Sequence, residues 1–351
     1  STVDRTSAQT SFQVSSSMQL FTGFRIPNQV KADKFSLMAA TENLEKARRD
    51  LGVQIASYYL NALYYKGLAR VQRHQLELDE EALRKAEALF EAGRKPKSEV
   101  AAAEAQVAVS QHSLVEAVGN ETMARLDLMQ ALNMVDVNVE QFAVCDIDTE
   151  GIEGEMTSAD LVIAEALEHP PTILAAKYNL ESSRHSLKVA QSAHYPTLSL
   201  SASYSNSYYY TYDMENMDLS KQLDLNGSEY IGLSLNIPIF NRFQTRNSVR
   251  QARLQVMNQE LSLTDARLQL QKEIQQAYWN AVKARENYRS AQKASASTQL
   301  SYQYEMERFA AGNSTAYELQ QARTRMEKSE TDEVQARYEY LMRVRILEFY
   351  K

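Results

Sequence analysis

The chain has 351 residues but only 10 Gly and 6 Pro, with 44% hydrophobic and 24% charged residues. That balance excludes a disordered chain and argues against a sandwich or a doubly wound α/β domain; it favours long helices with few turns. Forty-five acids against 38 bases give a net charge of −7, which offers no electrostatic support for a nucleic-acid partner.

Cys145 is the single cysteine, so no intrachain disulfide and no Cys-based zinc site can form. No run of 18 apolar residues exists to make a transmembrane helix, which leaves a membrane β-barrel open because its strand signal is weaker.

An internal duplication organises the chain. Residues 12–132 align without a gap on residues 231–351, at an offset of 219, and 25 of the 121 pairs are identical. Phe21 and Phe24 fall on Phe240 and Phe243, Asn61-Ala62 on Asn280-Ala281, and Phe90-Glu-Ala-Gly93 on Phe309-Ala-Ala-Gly312. A period this long is two copies of one large unit, not a solenoid. The reading divides the chain into a first repeat (1–132), a linker (133–160) and a second repeat (161–351). Ser1 corresponds to Ser220, so an opening helix and first strand are expected to precede Ser1 if the copies are alike throughout.

In chain order, the first expected element is a strand with Phe12, Val14 and Met18 on one face and Gln13, Ser15, Ser17 and Gln19 on the other. A helix follows from Phe24 to Ala92, with no Pro between 28 and 95. It spans roughly 100 Å at 1.5 Å per residue, the scale of a coiled coil or helical tube. A tip at 93–98 ends it. Gly93 suits the left-handed helix stop, Ser98 is read as the cap of the return helix (98–132), and Glu99 lies near that helix's positive end. Arg94, Lys95 and Lys97 make the tip basic.

The linker carries Val135, Val137, Val139, Phe142 and Val144, then a Gly/Glu-rich loop, and reads as a small belt around the helices. A helix over 161–193 is interrupted at Pro170-Pro171. The strand hairpin at 195–240 sets Leu198, Leu200, Ala202 and Tyr204 against four serines. After a polar stretch at 213–228 it sets Ile231, Leu233, Leu235 and Ile237 against Gly232, Ser234 and Asn236. Soluble half-buried sheets also alternate. The serine-rich polar face, and the crowding of Tyr204, Tyr208, Tyr209, Tyr210 and Tyr212 at one end, favour a membrane barrel with its aromatic girdle.

The second long helix is expected at 243–311, its tip at 312–315 and its return helix at 315–350. Leu263, Ala266, Leu270, Ile274, Ala277, Ala281 and Ala284 advance along it at heptad spacing. Gly312 is the stop, and Ser314 or Thr315 the cap, with Glu318 following. One Gly turn is only a turn; two at equivalent places in a duplication point to a shared task. Trp279, equivalent to Leu60, reads as packing. The five His form no metal or triad spacing, and no phosphate loop is present. No enzyme activity, metal or cofactor is expected.

The order of strand hairpin, 69-residue helix, Gly tip and return helix, repeated, resembles the TolC-like outer membrane efflux channels (outer membrane factors) of Gram-negative bacteria. The stretches that carry the resemblance are His194-Tyr-Pro-Thr-Leu-Ser-Leu-Ser-Ala-Ser-Tyr204, Leu235-Asn-Ile-Pro-Ile-Phe-Asn241, the opening-helix stretch Leu161–Pro170, and the Ala-Gly tips followed by Ser98-Glu99-Val100 and Tyr317-Glu318-Leu319. The resemblance implies a mostly α fold with membrane β. Three subunits would build a helical periplasmic tunnel and share one 12-stranded β-barrel. It implies a homotrimer in outer membrane lipid that reaches into the periplasm and passes substrates without chemistry. Its partners would be a periplasmic adaptor and an inner-membrane RND, ABC or MFS pump. The tips Ala92, Gly93, Arg94, Ala311, Gly312 and Asn313 would dock the adaptor. Ser98, Glu99, Ser314, Glu318 and Gln321 would cap the tips or form the gate, and Leu198, Leu200, Leu233, Leu235 and Ile237 would face lipid. The family's second acidic ring falls on Gln321 and a gate arginine on Ser314, so those charge links do not carry over. A protein (type I) secretion outlet of the same family is the alternative, and a soluble coiled-coil scaffold a remoter one.

Overall fold

The computed structural model describes residues 6–134, 136–147, 170–212 and 214–349. Its elements in order are β1 (Ser7–Phe21), α1 (Arg25–Glu91), α2 (Lys97–Ala131), α3 (Pro171–Ser192), β2 (Thr197–Thr211), α4 (Leu219–Asn226), β3 (Ser228–Asn236), α5 (Gln244–Ala310) and α6 (Ala316–Glu348). The protein is mostly helical with one small sheet. The long helices α1 and α5 have 67 residues each. Of the opening-helix stretch, residues 161–169 lie outside the described residues, as do Val135 and the Gly/Glu-rich loop from 148. α3 starts at Pro171, the position where a missing N–H costs nothing.

The duplication is written in the backbone. Each strand enters its long helix through two successive residues with positive φ, Gly23 (61°) and Phe24 (64°) in one copy, Arg242 (52°) and Phe243 (63°) in the other. A bulky residue rarely accepts this conformation. Here each is held by an edge-to-face aromatic pair: Phe21–Phe24 at 5.4 Å and Phe240–Phe243 at 5.7 Å. Such a pair is worth about 0.5–1.5 kcal/mol beyond its burial.

The chain divides into two compact units, and each takes part of both repeats. The first comprises Ser1–Asn43 and Pro171–Arg267. It contains an antiparallel sheet in the order β1-β2-β3. The register sorts the side chains. Phe21, Leu198 and Leu235 share one rung, as do Met18, Leu200 and Leu233, and these lie on one face. The rungs Gln19–Ser199–Ser234 and Ser17–Ser201–Gly232 lie on the other. Side chains alternate between faces along a strand, so one apolar and one serine-rich face follow directly.

The hairpin departs from expectation at both ends. The polar stretch at 213–228 contains the helix α4, which β2 holds through side-chain amides. β3 is shorter than β2, and Gln222 takes its place beside Tyr209: Oε1 accepts from Tyr209 N–H at 2.9 Å and Nε2 donates to Tyr209 C=O at 2.9 Å. Asn216 does the same for Thr211, and Asn226 Nδ2 donates to Ser207 C=O. Ile237 lies one residue past the end of β3 rather than within it. Pro238 follows and has no N–H for a ladder.

The second unit comprises Leu44–Pro170 and Leu268–Lys351. Its core joins Leu60, Ala62 and Leu63 of α1 to Ala124 and Leu128 of α2, Leu341 of α6 and Val144 of the linker. α1 and α6 run antiparallel: Gly52 lies by Phe349, Gly67 by Val334 and Tyr338, and Asp79 by Arg323. The described part of the linker lies along the helices, where Lys66 Nζ donates to Val144 C=O and Tyr59 Oη to Cys145 C=O, both at 2.9 Å. Lys66 also pairs with Asp146 at 3.0 Å, and its hydrogen bond holds that carboxyl below its usual range.

Candidate functional site: the hairpin tips

Both long helices end by the same mechanism. Gly93 N–H donates to Phe90 C=O at 2.8 Å and Arg94 N–H to Leu89 C=O at 2.9 Å. At the other tip Gly312 N–H donates to Phe309 C=O at 3.0 Å and Asn313 N–H to Arg308 C=O at 2.8 Å. These paired bonds, closed by a left-handed glycine, satisfy carbonyls that the helix end leaves free. The φ values are +68° at Gly93 and +78° at Gly312. A Cβ added at either would meet nothing within 4 Å. The glycines are therefore required by conformation, not by local crowding, and each leaves bare backbone facing open space. Ala92, Arg94, Ala311 and Asn313 beside them are exposed.

The return helices start differently. α6 has a complete capping box: Thr315 Oγ1 accepts from Glu318 N–H at 3.2 Å, and Glu318 Oε2 accepts from Thr315 N–H at 2.8 Å. Of the two candidate caps, Thr315 takes the position. Ser314 donates its one hydroxyl proton to Glu305 or, at 3.1 Å, to Glu318. The hydrogen bond from the Thr315 backbone, then those from the Thr315 and Ser314 hydroxyls, hold the Glu318 carboxyl below its usual range. Glu318 is thus bound into the first turn of its own helix.

At the first tip the expected cap is corrected. The N-cap position is Pro96, with no side-chain cap, and Ser98 is the second residue of α2. Pro96, at φ −77° and ψ 154°, fixes the extended entry, and the helix begins immediately after it. Glu99 pairs with Lys95 at 2.5 Å. Lys95 Nζ also stands 5.3 Å from the centroid of the Phe309 ring, linking the first tip to the end of the second long helix. That contact was not read from the sequence. Its signal was the basic cluster at one tip facing an aromatic at the duplicated position of the other. Gln321 Nε2 donates to Tyr317 Oη at 2.7 Å.

Further along the same helices lies a buried polar cluster, also missed in the sequence. Asp79 is 1% exposed. It pairs with Arg323 at 2.5 Å and accepts from the Ser110 hydroxyl. Arg323 pairs in turn with Glu327 at 2.9 Å. Burial pushes the Glu327 carboxyl up, against the pull of Arg323. The equivalent of Asp79–Ser110 in the second repeat is a neutral hydroxyl pair, Thr298–Ser329, at 2.5 Å.

In the first unit Leu200, Leu233 and Leu235 are exposed on the sheet face opposite the serines, Leu198 is half-buried there, and Ile237 is exposed beyond the strand. Among the described residues no helix is long and apolar enough to cross a membrane, and no cluster of three metal-ligating side chains occurs.

The chain is 23% identical over 325 residues to the outer membrane efflux protein BepC of Brucella suis, covering 92% of this chain and 68% of that protein. It is 24% identical over 263 residues to protein CyaE of Bordetella pertussis, of which it spans about half: 73% of this chain and 54% of the relative. Among solved structures it superposes on the outer membrane protein VceC of Vibrio cholerae with a TM-score of 0.78 at 13% identity, covering 99% of this chain and 87% of that one. The open state of the MtrE outer membrane channel of Neisseria gonorrhoeae gives 0.77 at 17% identity, covering 99% and 79%. Residues 1–134 and 162–349, which hold both hairpins and the sheet, match the outer membrane efflux protein family. The chain belongs to that family of TolC-like channels, which sit in the outer membrane and extend into the periplasm.

Proposed function

We propose that this protein is the outer membrane conduit of a tripartite export system. In this reading it assembles as a homotrimer and passes drugs or other small molecules, without chemistry, from an inner-membrane pump through a periplasmic adaptor. The observation that carries the reading is the sheet. Its three strands put Met18, Leu200 and Leu233 on one face and Ser17, Ser201 and Gly232 on the other. The order β1-β2-β3 makes β1 and β3 its edges. Three strands are far fewer than the eight of the smallest membrane barrels. Pairing with other copies satisfies those edges, gives the apolar face to lipid and turns the serines toward a watery lumen. At the tips, bare backbone at Gly93 and Gly312 admits close approach by an adaptor hairpin.

The test is complementation. Cells that lack their own channel but carry the matching adaptor and pump should extrude a fluorescent pump substrate when this protein is supplied. Retention of the dye, with the protein present in the outer membrane, contradicts the export role.

A further inference from the structure

The duplication turns contacts seen within one chain into contacts between chains. In a closed ring of duplicated subunits, the second repeat of each chain meets the first repeat of the next. The packing of α1 against α6 is then echoed by α5 against α2 of the partner subunit, with every residue displaced by 219. This step rests on the trimeric reading above.

The α1–α6 contact gives the register. Leu60, Asn61 and Tyr64 of α1 line one cleft with Gln335, Tyr338 and Met342 of α6. Gly67 lies against Val334 and Tyr338, and a Cβ there would stand 3.0 Å from Val334 Cγ1. Displacement maps Leu60 to Trp279, Asn61 to Asn280 and Tyr64 to Lys283. On the other side it maps Val334 to Val115, Gln335 to Glu116, Tyr338 to Gly119 and Met342 to Met123.

Asn, Val and Met are unchanged, Gly67 becomes Glu286, which Arg285 and Arg289 of its own helix pair, and two of the changes are compensating. The α1 side grows from Leu to Trp while the α6 side shrinks from Tyr to Gly. Tyr opposite Gln becomes Lys283 opposite Glu116. The exposures agree: Leu60 is 3% exposed, but Trp279 is 64%, Val115 66% and Met123 64%. A Cβ on Gly119 would meet nothing within 4 Å. Charge agrees as well. Residues 270–295 of α5 carry five bases and two acids, whereas α2 carries five acids and two bases. Among the described residues, Glu116 pairs with His112 of its own helix, at 3.6 Å.

We propose that Trp279 anchors the contact between subunits, seated over Gly119 and beside Met123 of the partner subunit, with Lys283 paired to Glu116 of the partner subunit. A large ring over a glycine, with a thioether at its edge, is a favourable packing arrangement, and aromatic anchors of this kind dominate interfaces.

Trp279 is the only tryptophan of the sequence, so its fluorescence reports the site. In the detergent-solubilised trimer it should be shielded from iodide. With Cys145 replaced by Ser, the pair Lys283→Cys and Gly119→Cys should form disulfides between subunits, seen as dimers and trimers on a non-reducing gel. Gly119→Tyr should weaken the trimer, by light scattering, with unchanged helical content. Adding Trp279→Leu should restore it, because the pair then reproduces Leu60 opposite Tyr338. A trimer whose Trp279 is freely quenched and whose cysteine pair does not cross-link overturns this contact alone. A protein that stays monomeric overturns the trimer, and this contact with it.

Discussion

Glu318 and Thr315 cap each other: the carboxylate accepts the Thr315 N–H at 2.8 Å while the Thr315 hydroxyl accepts the Glu318 N–H at 3.2 Å. Replacing Thr315 by Ala should loosen the start of α6 by about 1 kcal/mol, read as faster amide exchange over residues 315–319. Ser98→Ala should leave the start of α2 unchanged, because Ser98 caps nothing. The Glu318 carboxyl is held below its usual range, so its capping contribution is fully present above the ordinary glutamate value near 4.3. That contribution is lost only as pH falls below this value through the lowered folded one. Fraying of this turn should therefore be the same at pH 7 and pH 6 and appear only in strong acid.

The two tip carboxylates should differ electrically. Glu99 is neutralised by Lys95 at 2.5 Å, whereas Glu318 accepts from neutral hydroxyl and amide donors. In the proposed trimer, three copies of this carboxylate, with Arg308 acting on each only at a distance, would meet at the constriction and attract cations. Glu318→Gln should therefore reduce single-channel cation selectivity more than Glu99→Gln does, measured by reversal potentials across a salt gradient. Equal effects would contradict the difference.

Gly93 and Gly312 hold positive φ with open space where a side chain would stand. Alanine at either should cost about 1 kcal/mol of local stability. A Cβ there meets nothing within 4 Å and the φ strain is confined to the tip, so Gly312→Trp should still fold and assemble. Export should nevertheless fail, because the adaptor's approach is blocked. Normal dye efflux by that variant would contradict the docking role.

Asp79 and Arg323 are buried together. Removing Asp79 leaves Arg323 with Glu327 and the Ser110 hydroxyl without its acceptor, so Asp79→Ala should destabilise the protein by less than the about 3–5 kcal/mol of a fully stranded buried charge. Replacing the whole network, as Asp79→Leu with Arg323→Met and Glu327→Gln, should recover most of that loss. Thermal unfolding in detergent, compared between the wild type and the two variants, measures it.

What was legible in the sequence is what periodicity controls. The strand faces, the two long helices and both Gly stops follow from spacing two, spacing 3.5 and the rarity of Gly and Pro. The structure ends α1 at Glu91 and α5 at Ala310, within a residue or two of those stops. Long-range polar pairing was not legible. Asp79 sits in a helix crowded with charge, and nothing local distinguishes it from the solvated Glu80 and Glu81. Only the fold brings Arg323 to it, from 244 residues away. α4 was missed for a related reason: its eight residues carry a weak pattern, and Asn216, Gln222 and Asn226 stabilise it by bonding to β2 rather than to one another. Ser98 was read as a cap because it precedes Glu99, but Pro96 starts the helix two residues earlier.

The central claim is that the serine face meets water while the leucine face meets lipid. Leu233 and Ser234 are adjacent in β3 and lie on opposite faces. In protein reconstituted into bilayers, a spin label at Leu233 should be relaxed by oxygen and one at Ser234 by a water-soluble nickel chelate. Leu233→Arg should cost about 2–4 kcal/mol near mid-bilayer. Nickel access at both positions would mean a soluble hairpin, and would contradict the channel.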